Sequence, residues 1–233
     1  GDCEMRRDEI FVGQLDYTSP DCHNTRKRYE KCKQDVAADP GGRVKGVQAE
    51  IDWLLSVEDE ACRLTDLYAA GELPLRVTHN DTKINNVLFD EKTHEALVVI
   101  DLDTVMPGLV GHDFGDAIRS AANFVEEDCP DASKAGVNLN VYWAFAEGFL
   151  KETASTLTEN EVATLGQSCF SLACELASRF LDDYLIGDKY IKTRMPGHNL
   201  LRTRCQIALA RDMRLKMDAM NAIVRDCWER YQK

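Results

Sequence analysis

THNDTKINNVLFD, residues 78–90, sets His79, Asp81 and Asn86 between two short apolar runs. The run Leu75–Val77 leads into it, and Val87–Phe89 closes it at Asp90. A third run, Ala96–Leu102 (ALVVIDL), is rich in β-branched residues, and DEKTHE between the last two reads as a hairpin turn. The polar residues therefore fall on a loop between strands, with Asp101 near the end of the neighbouring strand.

Outward from this stretch the pattern turns helical. Gly46–Ala70 carries apolar residues at approximate helical spacing, with Gly71 as a C-terminal stop and Pro74 beyond it. After Leu102, helices are predicted over Asp113–Phe124 and Val137–Thr153. Thr158-Glu-Asn-Glu161 is a capping box that opens a long helix to Ile186, stopped at Gly187. Its apolar seam is Val162, Leu165, Cys169, Leu172, Leu176, Phe180 and Tyr184. A last helix is predicted over Leu201–Tyr231. Residues 1–45 are polar, broken by Pro20, Pro40 and Gly41-Gly42, and read as loops and short helices. The fold class expected is α+β and mainly helical, with a small β-hairpin region carrying the polar loop.

Composition excludes several classes. The net charge of −12 argues against nucleic acid as the main partner. Charge is uneven, since residues 189–233 hold 11 Lys+Arg against 4 Asp+Glu. No apolar run approaches bilayer length, and residues 1–9 (GDCEMRRDE) do not resemble a signal peptide, so no membrane partner is expected. Nine cysteines occur without a CxxC pair, which reads as free, mostly buried thiols in a reducing cytoplasm rather than a zinc site.

The chemistry sits in the order of the polar residues. Asp81 and Asn86 lie five apart on a tight loop, and hairpin pairing brings Asp101 beside Asn86. Two hard oxygen ligands completed by water suit Mg²⁺. That leaves Asp81 to orient a hydroxyl or accept its proton, the division of labour of phosphoryl transfer in protein kinases.

HxDxxxxN followed by a strand ending in IDxD resembles the kinase-like phosphotransferases, a group that includes aminoglycoside phosphotransferases, choline kinases and homoserine kinases. HNDTKINNVLFD, VVIDLDTVMPGLVGHDFGDAIR and GDKYIKTRMPGHNLLRTRCQIALARDM together are similar to N-acetylhexosamine 1-kinases and their relatives. The resemblance implies that ATP is the phosphoryl donor and the anomeric hydroxyl of an N-acetylhexosamine the acceptor. Asp81 would be the catalytic carboxylate, and Asn86 and Asp101 would hold Mg²⁺. His79 would brace the loop, Lys83 would stand at a phosphate-contacting position, and Asp103, Asp113 and Asp116 would order the loop or the surroundings of the metal. Arg179 and Tyr190 would line the hexosamine pocket, where Ile191 replaces a second aromatic residue of the family. A surface ion-pair ladder Glu175–Arg179–Asp183 is the structural alternative for Arg179.

Residues 1–75 contain neither GxGxxG nor a VAIK-like strand, and GGRVKG at 41–46 is no Walker loop. The expectation is that residues 1–233 form the C-terminal, catalytic and substrate lobe, that the N-terminal nucleotide-clamping lobe is missing in cis, and that this chain alone is inactive or weakly active. Two other readings remain: a kinase for choline, homoserine or an aminoglycoside, and a non-catalytic sugar-binding lobe.

Overall fold

A computed structural model describes Val12 and residues 15–18 and 21–232. The polar stretch 1–9, with Cys3, lies outside the described residues.

The longest-range organiser is α7 (Glu159–Leu185), 27 residues opened by the expected capping box. The Glu161 amide donates to Thr158 Oγ1 at 3.2 Å, and the Thr158 amide donates to Glu161 Oε2 at 2.8 Å. Gly187, at φ 101°, follows the helix end in a conformation that side chains resist. The helix is buried on more than the predicted seam. Leu176 and Tyr184 are only partly buried, whereas Ser168, Ser171, Glu175 and Ser178 are buried. The reason is its central position, against α1 (Thr25–Ala38), α5 (Val110–Ala121) and α8 (His198–Tyr231). Small residues permit the closest approach: a Cβ at Gly115 would lie 2.6 Å from the Ser168 carbonyl oxygen.

The stretch 46–70 is not one helix. A 3₁₀ turn at Val44–Val47 is followed by α2 (Gln48–Ser56), α3 (Glu58–Ala61) and α4 (Arg63–Ala69). The breaks at Val57 and Cys62 reset the helical phase, so that Ile51, Leu54, Val57, Ala61, Cys62 and Leu64 are all buried, which a straight helix with this spacing does not achieve. Gly71 ends the segment at φ 76°, as predicted. The N-terminal part yields a 14-residue helix, α1, capped by Asn24, where only loops and short helices were expected. The helices α5 and α8 each begin three residues before their predicted starts, and α6 (Leu139–Thr153) begins two residues after.

Two small antiparallel sheets carry the polar loop. β2 (Val87–Phe89) and β3 (Ala96–Val99) form the predicted hairpin, with Val87 opposite Val99. β3 stops short of Leu102 because Asp101 adopts a left-handed conformation at φ 62°. β1 (Arg76–Thr78) pairs with β4 (Met106–Gly108), which the sequence did not announce because Met-Pro-Gly has little strand character. The main core gathers Tyr29, Phe114, Tyr142, Phe170 and the aliphatic faces of α5 to α8. The hairpin stays outside it: Leu97 is 63% exposed, and Leu88, Phe89, Val98 and Val99 are also exposed. All eight described cysteines are free thiols, six of them buried. Among the described residues no helix is long and apolar enough to cross a membrane.

Candidate active site

The loop after β1 is held from below by one carboxylate. Asp113, in the first turn of α5, accepts the amides of His79 at 2.8 Å and Asn80 at 2.7 Å. Its position at a helix N-terminus favours negative charge, although burial lifts its pKa above the usual carboxylate value against the pull of those two amides. The same turn accepts Thr82 Oγ1 on the Asp113 carbonyl at 2.6 Å. Thr104 Oγ1 donates to the His79 carbonyl at 2.7 Å. Asn80 takes φ 63° and spends its side chain inside the loop, its Nδ2 donating to the Thr104 carbonyl at 3.1 Å.

These bonds fix Asp81 beside Asn86. Asn86 Nδ2 donates to the Asp81 carbonyl at 2.8 Å and to Asp81 Oδ2 at 2.9 Å. Lys83 Nζ donates to the same Oδ2 at 2.9 Å. Partial burial raises the Asp81 pKa, but the Lys83 ammonium and the Asn86 amide more than compensate and hold it below the ordinary value. The carboxylate is ionised at neutral pH, a weak base that can orient a hydroxyl and take its proton as that hydroxyl grows acidic on bond formation. His79 bridges toward the hairpin, with Nε2 3.0 Å from the Ile100 carbonyl and the Asp81 amide donating to Nδ1 at 3.3 Å.

Asp101 reaches this neighbourhood through the backbone. The Ile100 amide donates to the Asn86 carbonyl at 2.9 Å, so Asp101 follows directly on the residue paired with Asn86. Its carboxylate is exposed and accepts no hydrogen bond among the described residues. Asn86 spends its side-chain amide protons on Asp81, which leaves its side-chain oxygen, Oδ1, unpartnered among the described residues. A carboxylate and an amide oxygen, both unused, fit a hard divalent cation that keeps water and substrate phosphates in its other positions. Among the described residues no group of three or more His, Cys, Asp or Glu is arranged to hold a metal, so an ion here would depend on those additional oxygens.

The other predicted residues are more dispersed. Asp103 is exposed on a 3₁₀ turn without a side-chain partner among the described residues. Asp116 is buried against Arg119 at 2.9 Å, and Arg119 in turn holds Glu127 at 2.6 Å. Its link to the loop is indirect: Ser120 Oγ donates to the Asp116 carbonyl at 3.0 Å and accepts the Ile84 amide at 3.1 Å. Arg179 and Tyr190 line one cleft of about 220 Å³ together with Arg28, Lys31, Asp182 and Ile191. The alternative ladder is not formed: Glu175 points inward to His23 and Thr25. Asp183 accepts the amides of Lys189, Tyr190 and Ile191 instead.

Sequence reasoning missed His23 and read Glu175 only as a surface ion-pair partner of Arg179. His23 Nε2 lies 2.9 Å from the Asn80 carbonyl and Nδ1 lies 3.0 Å from Glu175 Oε1. One signal was available, a carboxylate inside the small and apolar run SLACELAS. A model described as the phosphotransferase enzyme family, APH, matches residues 7–177, which takes in the loop, both sheets and α7 as far as Ala177, and stops short of Arg179.

Proposed function

The chain belongs to this phosphotransferase enzyme family, whose members transfer phosphoryl groups to small molecules, and from that premise we propose that it carries the ATP γ-phosphoryl group to the anomeric hydroxyl of an N-acetylhexosamine. The observation that carries the reading is the cluster of Asp81, Lys83 and Asn86 on one clamped loop. Asp81 aligns the acceptor hydroxyl. As the new P–O bond forms and the bond to the β-phosphate oxygen breaks, Asp81 takes the hydroxyl proton and ADP leaves. Lys83 supplies positive charge next to the oxygens where negative charge gathers. Asn86 and Asp101 would hold Mg²⁺, which when bound offsets charge on the nucleotide phosphates.

The acceptor side of the reading rests on the Arg179 cleft. Tyr190 is 79% exposed and offers a free aromatic face to a sugar ring. Three cationic side chains, Arg28, Lys31 and Arg179, line the same cleft against two carboxylates, Asp182 and Asp183, and this excess of positive charge weighs against a cationic acceptor such as choline or an aminoglycoside. The same proposal sets an N-terminal nucleotide-clamping lobe, in cis, over the exposed apolar hairpin of Leu88, Phe89, Leu97, Val98 and Val99. Without that lobe this chain binds Mg-ATP weakly. Its partners are then the sugar and ATP, in a reducing cytoplasm, with no role for nucleic acid.

The test is phosphate transfer from ATP to N-acetylglucosamine by the protein carrying its clamping lobe, with the product read by ³¹P NMR. Asp81→Asn is expected to lower kcat by roughly 10²–10⁴ while the KM for the sugar stays the same. Near-normal turnover in that variant removes Asp81 from the role. Sugar binding with no transfer by the intact protein favours the non-catalytic reading.

A further inference from the structure

His23 stands between the active loop and α7, and its surroundings determine its charge. One ring nitrogen faces the Glu175 carboxylate at 3.0 Å and the other faces the Asn80 carbonyl at 2.9 Å. Both partners only accept hydrogen bonds, so both ring nitrogens carry protons and the ring is an imidazolium. Glu175 is fully buried, and its second oxygen accepts Thr25 Oγ1 at 2.9 Å. Burial depresses the His23 pKa, but the adjacent Glu175 charge outweighs it and raises the pKa to about 9. Burial likewise raises the Glu175 pKa, and His23 outweighs it, bringing it to about 2. The other titratable neighbours are His112, Asp113 and Cys22. The His112 ring lies 4.8 Å from that of His23 and is kept neutral by burial and by the His23 charge. Asp113 feels the His23 charge from α5, and Cys22 precedes His23 in the chain.

The contact acts on one peptide group. Asn80 is buried in a left-handed conformation, and without His23 its carbonyl would lose this partner. The amide on the far side of the same peptide, that of Asp81, donates to His79. The group that aims the Asp81 side chain is thus gripped at both ends, by His23 from the helical body and by His79 from the hairpin side. Glu175 lies one turn before Arg179 on α7, so the buried pair ties the helix of the acceptor cleft to the loop of the phosphoryl site.

We propose that His23 is a positioning residue: held by Glu175, it fixes the Asn80–Asp81 peptide relative to α7 and thereby the direction of the Asp81 carboxylate. The functional part rests on Asp81 having the role given above, whereas the ring's charge and its grip on the loop do not. The first measurement is ¹⁵N NMR of the His23 ring. Both nitrogens are expected to remain protonated at pH 7, with loss only toward about pH 9; a neutral ring at pH 7 overturns the proposal. The second is amide hydrogen exchange in His23→Ala and in the near-isosteric Glu175→Gln. The Asp81 amide is expected to exchange roughly tenfold to a hundredfold faster, as loss of one hydrogen bond to a charged group predicts, with core amides of α7 unchanged. Equal exchange at Asp81 in a folded variant refutes the grip. If the intact protein phosphorylates N-acetylglucosamine, both variants lose kcat by a similar factor at unchanged sugar KM, and a loss confined to KM refutes positioning. If it does not, the proposed acceptor fails while the NMR and exchange results still decide the role of His23.

Discussion

Removing the Asp113 carboxylate tests how the loop that follows β1 is built. Asp113→Ala deletes the acceptor of two successive amides, those of His79 and Asn80. Hydrogen bonds to a charged group contribute about 1.5–3 kcal/mol each, so the pair contributes at most roughly 3–6 kcal/mol. Burial of Asp113 opposes this, as its raised pKa records, and a net loss of about 2–4 kcal/mol is expected once that desolvation cost is returned. Local opening of the loop should then become roughly 30-fold to 1000-fold more frequent. Amide hydrogen exchange at His79 and Asn80 measures this directly, because exchange reads the free energy of local opening. Asp113→Asn separates charge from shape: its amide oxygen keeps one acceptor, but its NH₂ faces the second backbone N–H, so at least half of the effect persists. The Leu165 and Phe170 amides of α7, in the core, serve as internal controls. If His79 and Asn80 exchange as slowly in folded Asp113→Ala as in the parent chain, the loop is held by Thr104 and His23 instead, and the reasoning fails.

Two further predictions concern packing and pH. Gly115→Ala sets a Cβ 2.6 Å from the Ser168 carbonyl oxygen, a backbone atom that cannot yield without moving α7; a loss of about 1–3 kcal/mol is expected in urea unfolding. Gly148→Ala, at an exposed position of α6 with no atom within 4 Å of the added Cβ, should stabilise by about 0.5–1 kcal/mol, and a destabilisation there contradicts the helix assignment. In the pH profile, buried His112 titrates near 3, below its unfolded value of 6.5, so the unfolded chain binds the proton first and stability falls as pH drops below about 6.5. His23 has a raised folded value of about 9, so its contribution is full below pH 6.5 and is lost as pH rises through 9. Urea midpoints should therefore decline on both sides of neutrality, and His112→Gln should flatten the acid limb alone. An unchanged acid limb in that variant assigns it to other groups.

The sequence by itself determined the features that depend on neighbours along the chain. The capping box at Thr158–Glu161, the stops at Gly71 and Gly187, and the hairpin from Val87 to Val99 are set by local hydrogen bonding and backbone freedom, and they appear where they were predicted. The pairing of Asp81 with Asn86 is also local, since five residues on a tight loop leave few other arrangements. Tertiary structure alone decided the rest. Helix breaks at Val57 and Cys62 arise because burial of six side chains outweighs helix continuity. β4 forms because β1 offers it an antiparallel partner, although Met-Pro-Gly has no strand preference of its own. The burial of Glu175 requires His23 and Thr25, about 150 residues away in sequence. No local pattern specifies a partner at that distance; only the packing of α1 against α7 removes the alternative of solvating the carboxylate with water.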